Sequence, residues 1–317
     1  VYKLVNFNIN YGAKMEKEKI KYTTLSQIKE QTNKLDKARM CTLHIDDGGV
    51  MKEVKKFKGI YNISKGEFTA AVVPYYNLVQ HKDYFDHFAV ALDKLGIKCS
   101  MIFKQSGSRA FCDIDFVGRN IKYTNLNEEF TTGIRLVNSY NKSTGLHIMP
   151  RFTRLACTNG MILTRSEQTI SIKHHSKIVK EIQIFVEKKL NEIINKNEDL
   201  KIWVSTSMKD SAEWLVCSKI LEKLFIHLNH REEVLKRLNI SVIKLTDKKT
   251  KKKSIGYVYD GKEKKKKFTR WELYNAVTSY ITHGEQITPH IESVLHKYAE
   301  KLLVTPLKKM PIAKVVL

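Results

Sequence analysis

One stretch, Gly133 to Ser176, limits most narrowly what this chain can fold into: GIRLVNSYNKSTGLHIMPRFTRLACTNGMILTRSEQTISIKHHS. Ile134, Leu136 and Val137 lead into a polar turn, Ser139 to Gly145. A second run, Leu146 to Met149, and a third, Arg151 to Cys157, follow. Thr158-Asn159-Gly160 is a strong hairpin signal, because Asn and Gly both tolerate the positive φ that tight hairpin turns require. The chain returns through Met161 to Leu163 and ends at Ile170 to Ile172, with Lys173, His174 and His175 behind it. Short apolar runs separated by turn residues predict an antiparallel meander. Arg135, Arg151, Arg154, Arg165 and Lys173 punctuate its strands. A sheet with one apolar and one cationic face suits a phosphate backbone. It is also the default look of a soluble sheet in a basic protein.

The flanking sequence extends this pattern. Val1 to Tyr11 alternates like a strand, and a short helix is expected near Thr24 to Leu35. Cys41 to Ile45 is strand-like and runs into a turn at Asp46-Asp-Gly-Gly49; Val50 to Lys58 and Gly59 to Ile63 continue the β pattern. Phe68 to Val73 is an apolar run stopped by Pro74, and Pro74-Tyr-Tyr-Asn-Leu opens an amphipathic helix ending near Leu95 and Gly96. Ile97 to Gln105, a turn at Ser106 to Ser108, and Arg109 to Val117 form a hairpin. Beyond the meander, Ile178 to Asn195 keeps helical spacing, and Lys201-Ile-Trp-Val reads as a strand or docking segment. Ser211 to Leu238 reads as a long helix or helix pair. Thr269 with Glu272 three residues on is a capping box, opening a helix that ends near His283, and a last helix spans Thr288 to Leu303. Strands, a helix, then more strands imply an α+β fold rather than alternating parallel units: an antiparallel sheet or meander packed with helices, with a helical C-terminal part. Residues 1–176 form a mainly β core with one long helix. Residues 177–317 form a helical part with a lysine-rich insertion at 244–267, packed on the core as one domain.

Charge points to the class of partner. Lysine and arginine exceed aspartate and glutamate by 56 to 33, a formal net charge of +23, beyond what solubility requires. A polyanion is the natural partner, and nucleic acid is the commonest one. The lysine runs at 248–253 and 262–267 flank Ile255-Gly-Tyr-Val-Tyr259. Lys251, Lys252, Lys253, Lys264, Lys265, Lys266 and Lys267 around Tyr257 and Tyr259 suit a single strand, whose bases stack on rings while lysines follow its backbone. The alternative is a solvated hairpin with only nonspecific affinity. On the meander, Arg109, Arg135, Arg151, Arg154, Lys173 and His174 are the candidate phosphate contacts. Five scattered cysteines without a Cys-x-x-Cys pair argue against a disulfide framework or zinc site. With no signal peptide and no bilayer-length apolar run, a soluble protein of the bacterial or viral-host cytoplasm is expected, with no membrane partner.

Nothing announces an enzyme. Asp113-Ile-Asp115 places two carboxylates on one face of a strand. After Gly107-Ser108 it invites comparison with the two-metal signature of nucleotidyltransferases. Only four residues separate Ser108 from Asp113, too few for that family's intervening turn, and solvent-facing strand carboxylates are the plainer expectation. His44 with Asp46 and Asp47, or Asp83 with His87, could ligate a divalent metal, but a metal needs three or more convergent ligands and sequence does not show convergence; Asp83 and His87 are expected to form a local surface pair. His174 has no identifiable orienting partner. No phosphate-binding Gly-x-x-x-x-Gly-Lys-Ser/Thr loop occurs. No metal and no cofactor is assigned.

Three segments together resemble a phage/plasmid-like family catalogued as domain of unknown function 932. They are Leu136-Val-Asn-Ser-Tyr with Ser143-Thr-Gly-Leu; Arg154-Leu-Ala-Cys157-Thr-Asn159-Gly-Met followed by Ile172-Lys-His174; and Thr269-Arg-Trp271-Glu-Leu-Tyr-Asn275-Ala276 continuing to His283. Pro74-Tyr-Tyr-Asn-Leu is similar to the segment opening that family's first helix. The likeness spans about Val72 to Gly284 and diverges between His175 and Thr269. It implies a setting in phages and mobile elements and no particular reaction. The matching positions are Arg154, Asn159, His174, Trp271, Asn275 and His283, as one site or one core, with Asn275 and His283 as buried polar links.

The reading that joins these observations is a nonenzymatic protein of a virus or mobile element that grips single-stranded DNA in recombination, annealing or replication. Phage strand-annealing proteins offer an analogy of logic, which leaves room for a homo-oligomer. The alternatives are a metal-dependent nuclease or nucleotidyltransferase built on Asp113 and Asp115, and a structural or interaction protein without nucleic acid.

Overall fold

The computed structural model describes residues 23–123, 128–154, 160–162, 170–172, 197–225, 227–246, 253–260, 267–284, 287 and 289–310. The expected strand at Val1 to Tyr11, the helix at Ile178 to Asn195 and the Thr158-Asn159 half of the hairpin turn lie outside them. The chain divides into two compact units, the first holding the described residues up to 120, 131–151 and 170–172, the second those in 121–130, 152–162 and 197–310. The architecture is α+β, with antiparallel sheets and a mainly helical C-terminal part.

In the first unit, α1 (Leu25–Thr32) starts at a capping box: the Thr24 side chain accepts from the Gln27 amide while the Gln27 side chain takes the Thr24 amide. The strands β1 (Ala38–Asp47), β2 (Val50–Asn62) and β3 (Glu67–Val72) form an antiparallel sheet of that order. Gly48 and Gly49, at φ +63° and +88°, supply the two positive values that the tight β1–β2 turn demands. The helix α2 (His81–Lys94) begins seven residues after Pro74, later than the sequence pattern suggested. The reason is tertiary. The Gln80 side chain bridges the backbone of Ala38, donating to its carbonyl at 2.7 Å and accepting from its amide at 3.1 Å. Asn138 Nδ2 donates to the Val79 carbonyl at 3.0 Å. These bonds hold the approach to α2 non-helical.

The larger sheet contains β4 (Cys99–Ser106), β5 (Arg109–Tyr123), β6 (Glu128–Ser139), β7 (Leu146–Arg154) and β8 (Gly160–Ile162) in that order, with β9 (Ile170–Ile172) pairing to β7. The meander is therefore present, but its last strand returns to β7 rather than adding beyond β8. Strands β5, β6 and β7 contribute residues to both units. In the first, Tyr84, Phe85, Phe88 and Leu92 of α2 pack against Met101, Ile114, Ile134, Leu136 and Ile148 of the sheet. A second small core gathers Ala38, Ile60, Val72 and Tyr140.

The second unit comprises α3 (Asn197–Lys209), β10 (Ser211–Glu213), α4 (Trp214–Leu224), α5 (Leu228–Lys236), β11 (Ile240–Thr246), β12 (Lys253–Tyr259), β13 (Lys267–Thr269), α6 (Arg270–His283), α7 (Pro289–Val304) and a 3-10 turn at Leu307–Lys309. Lys201-Ile-Trp-Val is helical, not a strand: Leu200, Val204 and Ser207 are fully buried at helical spacing on α3. The expected helix pair is α4 with α5. The lysine-rich insertion is framed by the hairpin β11–β12, and β10 pairs with β13. Among the described residues no helix is long and apolar enough to cross a membrane.

Candidate nucleic-acid interface

The arginines of the meander do not form an open cationic face. Strand β6 is buried on both sides, and Arg135 and Arg151 are 5% and 8% exposed. The reason is a set of ion pairs inside the first unit. Arg135 donates from Nε and Nη2 to both oxygens of Asp113, at 2.5 and 2.7 Å, and Arg151 donates to Asp115. Lys104 Nζ approaches Asp113 to 3.7 Å. Burial opposes ionisation of Asp113, but the Arg135 and Arg151 guanidiniums overcome that penalty and hold its carboxyl well below the usual carboxylate range. Asp113, expected to face solvent, is 5% exposed and engaged on both oxygens. A two-metal reaction needs those lone pairs free, and among the described residues no group of three metal-ligating side chains converges. Arg109, half-buried at the start of β5, donates to Ser143 Oγ at 2.6 Å and so braces the turn after β6.

The motif residues Asn138, Ser139 and Tyr140 are also interior. Tyr140 Oη accepts from the His81 amide at 3.0 Å and donates to the Asp36 carbonyl at 2.9 Å, while its ring stacks on His81 at 3.8 Å. Ser139 Oγ accepts from the Thr144 amide and donates to the Thr144 carbonyl, closing the polar turn. This hub ties β1, the start of α2 and the end of β6 together.

In the second unit, Arg154 and Trp271 do come together, around an acid that sequence reasoning missed. Arg154 grips both oxygens of Glu128 at 2.5 Å each, Trp271 Nε1 donates to Glu128 Oε1 at 3.3 Å, and the guanidinium lies 5.5 Å from the indole centroid. Tyr274 stacks on Trp271 at 5.0 Å and Phe130 meets it edge-on at 6.2 Å. Four residues after Trp271, Asn275 shares its helical face, and its Oδ1 is buried without a hydrogen-bond partner among the described residues. His283 is exposed in the last turn of α6 rather than a buried link. Asn159 and His174 lie outside the described residues.

The lysine-rich hairpin presents its tyrosines inward. Tyr257 and Tyr259 alternate with Val258 along β12 and share the face of Ile240 and Val242, which packs on the core. Burial pushes the Tyr257 hydroxyl up to about 12, and Tyr259 meets Phe268 edge-on at 5.7 Å. The expected stacking platform therefore faces inward. Lys267 is exposed on β13. Lys173, Lys251, Lys252, Lys264, Lys265 and Lys266 lie outside the described residues, and Lys253 is placed at the start of β12. Exposed aromatic surface occurs instead on the first sheet, at Phe57 and Phe68, which are 44% and 56% exposed. Those positions were hidden in the sequence because isolated aromatics in a strand look like core.

Residues 70–302 match the sequence model of a family described as Domain of unknown function (DUF932). No curated protein and no solved structure matches the chain. The family match covers most of the sequence, and the chain belongs to that family.

Proposed function

We propose that this member of the DUF932 family is a nonenzymatic, single-stranded-DNA-binding protein of a virus or mobile element, acting in recombination, annealing or replication in the cytoplasm. One observation carries the reading. Five arginines of low exposure, Arg135, Arg151, Arg154, Arg231 and Arg270, are each matched to a carboxylate, Asp113, Asp115, Glu128, Glu222 and Asp210 respectively. Each pair is neutral, so the whole excess of +23 resides outside these interior pairs. A charge of that size without internal compensation favours a polyanion, whose condensed counterions are released on binding. Lysines lower the repulsion between phosphates, and two strands brought to one such surface can pair while their bases stay accessible.

The test is anisotropy of labelled single- and double-stranded oligonucleotides across a salt titration. Single strands are expected to bind more tightly, with log K falling linearly in log salt at about 0.7 per phosphate contacted. Absence of binding at low salt would remove the proposal and leave the charge as compositional.

A further inference from the structure

We infer that the outer face of the β1–β2–β3 sheet is where the bases of a bound single strand are held; this rests on the reading above and gives it a location. Directly opposed residues of antiparallel strands share a face. Met40, Ile60 and Ala70 form one row, and it points to the core. The next row, Arg39, Tyr61 and Phe68, therefore points out, as does Cys41 with Gly59 and Ala71. A Cβ on Gly59 would lie 2.6 Å from Cys41 Sγ, 2.8 Å from Leu43 Cδ2 and 3.1 Å from Phe68 Cε2, which places those three side chains on this same outer side. Phe57, two residues before Gly59 on β2, joins them by strand alternation.

The result is an antiparallel sheet surface with three aromatic rings, two of them 44% and 56% exposed. The Arg39 guanidinium sits 5.7 Å from the centre of the Tyr61 ring. Cations on this surface differ in a way that names the occupant. Toward the hairpin tip Lys52 pairs with Asp47. Arg39 and Lys55 have no carboxylate within ion-pair distance among the described residues. Lys55, two residues before Phe57 and on its side by alternation, lies in the stretch of β2 opposite Leu43 where the register with β1 shifts, about 13 Å along the sheet from Tyr61. Exposed rings with unpaired cations on one sheet face match a single strand of nucleic acid, whose bases have π faces and whose phosphates repeat along the backbone. A protein partner would be served by the rings but not by uncompensated charge. Apart from Ala71, the residues of this face lie ahead of the family-matched segment, which begins at residue 70.

Two measurements test this in the full chain. Phe57→Ala and Phe68→Ala remove little buried area, and each is expected to weaken oligo(dT) binding about tenfold. Lys55→Glu should weaken it further and flatten the salt slope, whereas Lys267→Glu on β13 should act weakly. In the unmodified protein, saturating oligo(dT) should slow alkylation of Cys41 several-fold, read on its own peptide by mass spectrometry. Wild-type binding with no loss in the phenylalanine variants and no protection of Cys41 would overturn the site while leaving the general proposal standing. Absence of wild-type binding would overturn both, and self-association lost in the phenylalanine variants without any effect on oligonucleotide would assign the face to a protein partner instead.

Discussion

Asp113 shows how much one residue's meaning depends on its surroundings. As a sequence element, Asp113-Ile-Asp115 reads as a pair of surface acids or, at a stretch, a metal site. Inside the first unit it is the anion that makes two buried guanidiniums tolerable. Removing one member of such a pair leaves uncompensated interior charge, so Asp113→Asn is expected to cost about 3–5 kcal/mol, measured as a drop in urea midpoint. The pH dependence follows from the depressed carboxyl. Its ordinary value is 3.8 and its folded value is lower, so its stabilisation is fully present above that ordinary value and is lost as pH falls through the folded one. Wild-type stability should therefore decline progressively as pH falls below about 5, and the Asp113→Asn variant should lose part of that decline. Gly133 makes the opposite point, an unremarkable letter with a strict role. A Cβ there would stand 2.0 Å from the backbone carbonyl oxygen of Ile114, so β5 and β6 could not keep their spacing. Gly133→Ala should cost about 1–3 kcal/mol or more, visible as a lower thermal midpoint or loss of folded protein.

Among elements, local signals succeeded where the backbone itself had to be satisfied. Thr269 accepts from the Glu272 amide and Glu272 takes the Thr269 amide, as the spacing of the two residues implies. Thr269→Ala should lower stability by about 1 kcal/mol with the α6 fold intact, checked by paired denaturation and circular dichroism. The Asp46-Asp-Gly-Gly49 turn was equally legible, since two positive φ values leave few other residue choices. Signals failed where distant groups decided. The β-branched look of Lys201-Ile-Trp-Val gave way to a helix because Leu200, Val204 and Ser207 are buried together in the second unit. The start of α2 was displaced by Gln80 bonding to β1, an interaction spanning 42 positions of sequence. The register of β6 is likewise held by charge: a one-residue slip would turn Arg135 away from Asp113 and leave both buried and unpaired.

For the molecule as a whole, the ion pairs separate two populations of basic residues. The low-exposure arginines are matched to carboxylates, so the net charge of +23 lies outside those pairs. That separation sharpens the salt titration. Variants of Arg135 or Arg151 that still fold should leave the salt slope unchanged, since those groups have no phosphate to release counterions from. Exposed lysines at a binding face should each reduce it. A chain whose slope changed equally with both sets would not hold its charge in this way.

The sequence by itself determined the α+β class, the antiparallel meander, the capped helices, the family and the sign of the charge. Each of these follows from local periodicity, turn chemistry or summed composition, quantities that need no knowledge of which residues meet. Only the tertiary structure decided which charges are spent inside and which aromatics face out. Arg154 and Trp271 were legible as a pair of matching positions, but the acid between them, Glu128, was not, because 143 positions of sequence separate it from Trp271. The same holds for Arg39, Tyr61 and Phe68, which become one row only when three strands align. Alternation gives each strand two faces, and which face is buried is settled by what packs against it.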